Sequence, residues 1–221
     1  MGMIRVARAL SGWMVLTAGG TVAPPMVAPQ PSITVELQLG ARPGLDDAAV
    51  AHAQETAAAL LWHAGIEAVW QDCRAADHCG AARPAVLAVQ LLPILKATDH
   101  EVCGETVRDA RSGIPTVLVY LPRVETLTNT LRSGTGGRSS PALSTLEQAH
   151  VIGLTVAHEV GHALGLPHSP WGVMKARLSI DDVVAFRRGL LAFTPREALR
   201  MRTAIATRHD GQVASTEPRQ P

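Results

Sequence analysis

The sequence predicts an α+β domain, and three observations predict it. Short runs of β-forming residues recur up to Leu121. One long helical pattern interrupts them early, between the first run and the second. After Ser140 the strand signals cease, and helix signals follow one another towards the C-terminus.

Taken in order, Ser32–Leu39 (SITVELQL) sets Ile33, Val35, Leu37 and Leu39 against Thr34, Glu36 and Gln38, the alternation of a half-buried strand. Pro43-Gly44 signals a turn. Leu45 to Ala64 is Ala-rich and helical, with Asp46 and Asp47 complementing the dipole in its first turn and Gly65 ending it. Ile66–Trp70 is a second strand, Asp72 to Pro84 a loop, and Ala85–Leu92 (AVLAVQLL) a third, more buried strand. Pro93 to Pro115 has no clear period and reads as a polar surface loop, although Asp99, His100, Glu101 and Cys103 sit close together in it. Thr116–Leu121 (TVLVYL) is a strand, with the only tyrosine, Tyr120, as a packing residue. Val124–Leu131 reads as a short helix. Ser133–Ser140 (SGTGGRSS) is a flexible loop without the lysine that a phosphate cradle requires.

The next helix starts with Ser140 as cap and Pro141 at its first position, or slightly later at the box Ser144…Glu147. It runs to about Leu164, and Leu143, Leu146, Val151 and Leu154 give it an apolar face, so it is a core helix. Its C-terminal end carries His158-Glu159-x-x-His162-x-x-Gly165-x-x-His168. His158 and His162 are four apart, so a helix projects both imidazoles from one face, where they can share a zinc ion. Glu159 lies beside that pair, suited to work as a base. Gly165 can take the left-handed conformation that ends the helix and turns the chain back. His168 can then return as a third ligand, leaving a fourth position for water, which is the pattern of a catalytic site and not of a closed structural one. Chance would produce the full pattern in about one chain in ten thousand of this length and composition.

Past His168, the Pro and Gly of Ser169-Pro170-Trp171-Gly172-Val173-Met174 specify a tight turn that tucks Met174 beneath the metal. Ser179 caps a helix to Arg188 with Gly189 as its stop, and Thr194-Pro195-Arg196-Glu197 opens another that ends near Thr207. Arg187, Arg188, Arg196, Arg200, Arg202 and Arg208 read as solvated helix faces. Residues 209–221 read as a disordered tail.

Composition narrows the function classes. With 221 residues, 47% hydrophobic and 18% charged, the chain has room for one good core. A net charge of +1 implies no nucleic-acid partner. Aromatics are scarce at 3%, so the core is built from Leu, Val and Ala. Arg5 and Arg8 precede an apolar run from Ala9 to Ala18, too short and Gly-broken to span a bilayer, followed by a Pro-rich stretch. Residues 1–28 therefore read as a secretory signal plus linker, with cleavage after Ala18, Ala23 or Ala28, and 29–208 as the catalytic domain. An exported protein tends to pair its cysteines; Cys73 and Cys79 bracket a short loop and are the expected pair, which leaves Cys103 either free or the true partner of one of them.

The His/Glu/Gly spacing with Met174 behind it resembles the metzincin clan of zinc metallopeptidases, and HEVGHALGLPHS resembles its matrixin-like members. His168 to Met201 is also similar to a group of uncharacterised exported bacterial proteins of this type. The resemblance implies a twisted, mostly parallel sheet with an antiparallel edge strand, packed on a backing helix and an active-site helix, plus a small helical C-terminal subdomain. It implies that His158, His162 and His168 bind zinc, that Glu159 is the general base and that Met174 floors the site. The segment between His168 and Met174 is shorter than in most characterised members, and signatures of calcium loops and of an inhibitory prosegment are absent. The implied activity is a monomeric endopeptidase, secreted or periplasmic by its N-terminal pattern, that cuts a protein or peptide by Glu-assisted attack of a zinc-bound water, with the substrate along an edge strand expected at Thr116–Leu121. Two alternatives stand beside it: a catalytically silent zinc-containing module that binds peptides, and a zinc hydrolase of a non-protein amide.

Overall fold

The computed structural model describes residues 33–40, 43–73, 79, 85–95, 102–108, 113–134 and 141–215. The signal and linker, Asp99 to Glu101, Ser140, most of the 133–140 loop and the last six residues lie outside them.

Strands β1 (Ile33–Leu39), β2 (Ile66–Asp72), β3 (Val86–Leu92), β4 (Gly104–Arg108) and β5 (Pro115–Tyr120) form one sheet in the order β2-β1-β3-β5-β4. The pairings β1–β2, β1–β3 and β3–β5 are parallel, and β4 runs antiparallel to β5. The expected α+β architecture is therefore present, a mostly parallel sheet with an antiparallel edge. That edge is not Thr116–Leu121, however. β5 is covered on both sides, and the edge is β4, in the segment expected to be a loop. GETVR offers no apolar alternation because β4, among the described residues, has a neighbour on one side only and its Val107 is exposed.

Helix α1 (Asp47–His63) crosses from β1 to β2; the Asp46 carboxylate caps it by accepting from Ala49 N at 2.7 Å, and Gly65 at φ 76° ends it. α1 packs against α3 (Pro141–Ala163), which carries the histidine motif, and α3 also meets β4 and β5. Their joint is lined by small residues: Ala49, Ala53 and Ala57 of α1 are buried, and Gly153 of α3 faces Ala53 O and Thr56. Leu37, Leu60, Leu61, Leu87, Ile152 and Leu154 fill the core between these helices and the sheet. α2 (Leu121–Gly134) follows β5 directly, longer at both ends than expected.

The C-terminal helices are α4 (Ile180–Arg187) and α5 (Pro195–Ser215). Ser179 N and Oγ both donate to the Asp182 carboxylate, and Thr194 N donates to Glu197 while Glu197 N returns to Thr194 Oγ1, so both caps form as the sequence predicts. α5 continues to Ser215 instead of stopping near Thr207; Gly211 alone costs a helix only about 1 kcal/mol. Two of its arginines are not solvated faces. Arg202 donates to Ala64 O at 2.5 Å and Arg208 to Ala163 O at 2.6 Å, satisfying carbonyls at the C-terminal ends of α1 and α3. Among the described residues, no helix is long and apolar enough to cross a membrane.

Candidate active site

α3 delivers two imidazoles and a turn delivers the third. Gly165 sits at φ 88°, with Gly165 N donating to His162 O and Leu166 N to Gly161 O, each at 2.9 Å. That pair of bonds is a Schellman close, which reverses the chain and carries His168 back to the helix face. His158, His162 and His168 each place a ring nitrogen within 4.8 Å of the others, a group able to hold a metal ion. His162 Nε2 and His168 Nε2 are 3.1 Å apart. Tetrahedral zinc with bonds of about 2.0–2.1 Å separates its ligands by a little over 3 Å, so the spacing fits.

The rings are aimed by their other nitrogens. His158 Nδ1–H donates to Val173 O and His162 Nδ1–H to Leu166 O, both at 2.8 Å. A carbonyl can only accept, so these bonds set the tautomer and leave each Nε2 lone pair free for a metal. Burial, only partly opposed by the bond to Val173, lowers the His158 pKa to about 4, and burial likewise lowers that of His162. Both rings are thus held neutral, the form that binds metal. The same shift predicts a pH dependence. Between the ordinary value of 6.5 and about 4 the unfolded chain takes up a proton at His158 that the folded chain refuses. Stability of the metal-free protein should therefore fall as pH drops through that window, read as a falling melting temperature. A temperature that stays flat from pH 6.5 to 4 would contradict it.

Met174 is fully buried, and a Cβ on Gly161 would collide with its Sδ. The turn that carries Met174 thus lies directly against the helix between His158 and His162, and Val173 O is the acceptor that aims His158. Ser169 N donates to Met174 O at 2.8 Å, closing the turn. Lys175 Nζ, 2.8 Å from the buried Asp182, ties its far side to α4.

Glu159 is 4% exposed and lines, with the three histidines, a cleft of about 260 Å³. The opposite wall is β4, which the sequence did not reveal. Thr106 Oγ1 lies 2.7 Å from Glu159 O and 2.9 Å from Glu159 Oε2, within reach of both although the hydroxyl has one proton to give. Gly104 permits that approach, since a Cβ there would come within 2.8 Å of Leu118 O and 3.1 Å of Glu159 Cγ. No local signal marks Thr106, which is 53 residues from its partner.

Cys73 and Cys79 are joined as a disulfide. Cys103 is free and buried where it lines the cleft, and burial, opposed in part by Arg123, pushes its thiol up to about 11, which favours the protonated form at neutral pH. Of the acidic cluster near it, Asp99, His100 and Glu101 lie outside the described residues. Tyr120 is buried and its hydroxyl donates to Glu105, in keeping with a packing role.

No protein-family model and no curated protein matches the chain. Among solved structures it is similar to archaemetzincin from Methanopyrus kandleri, at 15% identity and a TM-score of 0.45, over 78% of this chain and 96% of that one.

Proposed function

We propose that this chain is a zinc-dependent endopeptidase of metzincin-like, matrixin type that works outside the cytoplasm. One observation carries the reading: three converging imidazoles and a buried carboxylate share a cleft walled by an antiparallel edge strand. The donor set suits zinc, with three nitrogens and room for a fourth ligand. Zinc held there supplies Lewis acidity towards a water and a carbonyl oxygen.

The chain's own residues do the rest. Glu159 takes the proton of the attacking water and returns it to the leaving amine. Thr106, donating to Glu159, holds the carboxylate towards the cleft. The outer edge of β4, which has no strand partner among the described residues, pairs with an extended peptide and lays its scissile bond across the histidines. An open cleft beside a sheet edge favours a peptide over a small amide, which a closed pocket would suit better. The disulfide and the N-terminal pattern of Arg5, Arg8 and the apolar run support an oxidising compartment.

One preparation tests the reading. Full-length protein expressed in a Gram-negative host should be recovered from the periplasm or medium, shortened after Ala18, Ala23 or Ala28. With zinc added it should cut a diverse peptide mixture, and a chelator should stop the cutting. Cytoplasmic retention would remove the location; an uncut mixture, or cutting indifferent to chelator, would remove the activity.

Thr106→Val keeps the shape of the side chain and deletes the donor. A bond to a charged acceptor is worth about 1.5–3 kcal/mol, so kcat should drop about 10- to 100-fold. KM and zinc affinity should hold, and Thr106→Ser should restore kcat. Equal kcat for the Val variant and the wild type would show that the hydroxyl does not position Glu159.

A further inference from the structure

We propose that the groove beyond His168 is a carboxylate subsite, which makes acidic peptides the substrate class; this rests on the peptidase reading above. The groove, about 330 Å³, lies between the loop after His168 and the start of α5 and is lined by His168, Trp171, Thr194, Arg196, Glu197 and Arg200. His168 lines both this groove and the main cleft, so the two lie on either side of one of the three converging imidazoles. Within the proposal, a peptide laid across the histidines continues past His168 into this groove.

Its charge is not balanced from within. Arg196 and Arg200 are four apart on α5 and so share a face, and both are exposed. Among the described residues neither has an ion-pair partner. The one carboxylate among the groove's described residues, Glu197, is engaged as a helix cap, accepting from Thr194 N at 2.8 Å. Arg196 also stands in the first turn of α5, where the helix dipole disfavours a cation. Local helix stability therefore gives no reason for an arginine there, whereas capture of an anion does.

Trp171 is the second feature. It is 67% exposed in a chain with only 3% aromatic residues, so folding leaves a large apolar ring in water at the groove's rim. The backbone beneath it is fixed, with Ser169 Oγ donating to Trp171 O at 2.6 Å and Gly172 in the left-handed region at φ 74°. Tryptophan and arginine are the residue types that dominate binding energy at interfaces, and two guanidinium forks match carboxylate oxygens in number and geometry. The ring then covers the aliphatic part of the bound side chain while Arg196 and Arg200 take its carboxylate. The carboxylate is that of an Asp or Glu side chain or of a peptide C-terminus, and the probes below separate the two.

Zinc-loaded full-length Glu159→Gln protein, which should bind without cutting, is titrated calorimetrically with octapeptides of Ala and Gly. One carries three Glu and an amidated C-terminus, a second three Gln with an amidated C-terminus, a third three Gln with a free C-terminus, and a fourth three Lys. The Glu peptide should bind about tenfold or more tighter than the amidated Gln peptide. If the free C-terminus alone supplies the gain, the subsite stands as one for the chain end. Adding Arg196→Glu and Arg200→Glu should abolish the preference and turn it towards the Lys peptide, a reversal that a merely structural role would not produce. Equal affinity for all four peptides, no binding of any, or a preference that survives the double charge reversal overturns the subsite. Cleavage by the wild type separates the two proposals: cutting without acidic preference removes the groove and leaves the peptidase, and binding preference without cutting does the opposite.

Discussion

Glu159→Gln should lower peptide turnover by about 10²- to 10⁴-fold, the contribution of a positioned general base, while zinc stays bound in full. The amide matches the carboxylate in shape, and its oxygen can still accept from Thr106, 2.9 Å from the present carboxylate, so the contact between β4 and α3 survives. What it loses is the capacity to take a proton. The metal should be unaffected because the converging group consists of His158, His162 and His168. Metal analysis of the purified variant beside a turnover assay separates the two effects. Full turnover would rule out Glu159 as the base, and loss of zinc would assign it to the ligand set.

Gly153→Val is expected to have the largest effect on stability. An added Cβ would stand 2.5 Å from both Ala53 O and Thr56 Cβ on α1. The first of these is backbone and cannot rotate away, so the two helices must separate. Overpacking of this kind costs about 1–3 kcal/mol and occasionally more, a large part of the roughly 5–15 kcal/mol that holds a domain folded. Gly153→Ala makes the sign diagnostic. On an open helix face, Ala in place of Gly stabilises by about 0.5–1 kcal/mol; at this joint it should destabilise instead. Denaturant midpoints that fall in the order wild type, Ala, Val would support the joint, and a rise for Ala would refute it. Because α3 carries His158 and Glu159 at its far end, the Val variant should also bind zinc less tightly.

Legibility differed from element to element for identifiable reasons. β1, α1, β3 and β5 showed their hydrophobic periods because each buries one face or both in the core. Both C-terminal caps were readable because their partners stand three residues apart, Ser179 with Asp182 and Thr194 with Glu197. β4 was not, since a five-residue edge strand with a glycine in its first position and an exposed valine carries no period. The six helix arginines looked alike in sequence, yet Arg202 and Arg208 reach carbonyls 138 and 45 residues away while Arg196 and Arg200 are left to face a groove.

The site divides along the same line. The eleven residues from His158 to His168 determine by themselves the one-face placement of two imidazoles, the glycine turn and the return of the third, because every one of those relations is local to a helix and its cap. Tertiary structure alone decides that Val173 O aims His158, that Thr106 meets Glu159, that β4 is the wall and that Trp171, Arg196 and Arg200 line a second groove that shares His168. Those contacts join segments far apart in the chain, and a single sequence records local periodicity but not which distant surfaces the fold brings together.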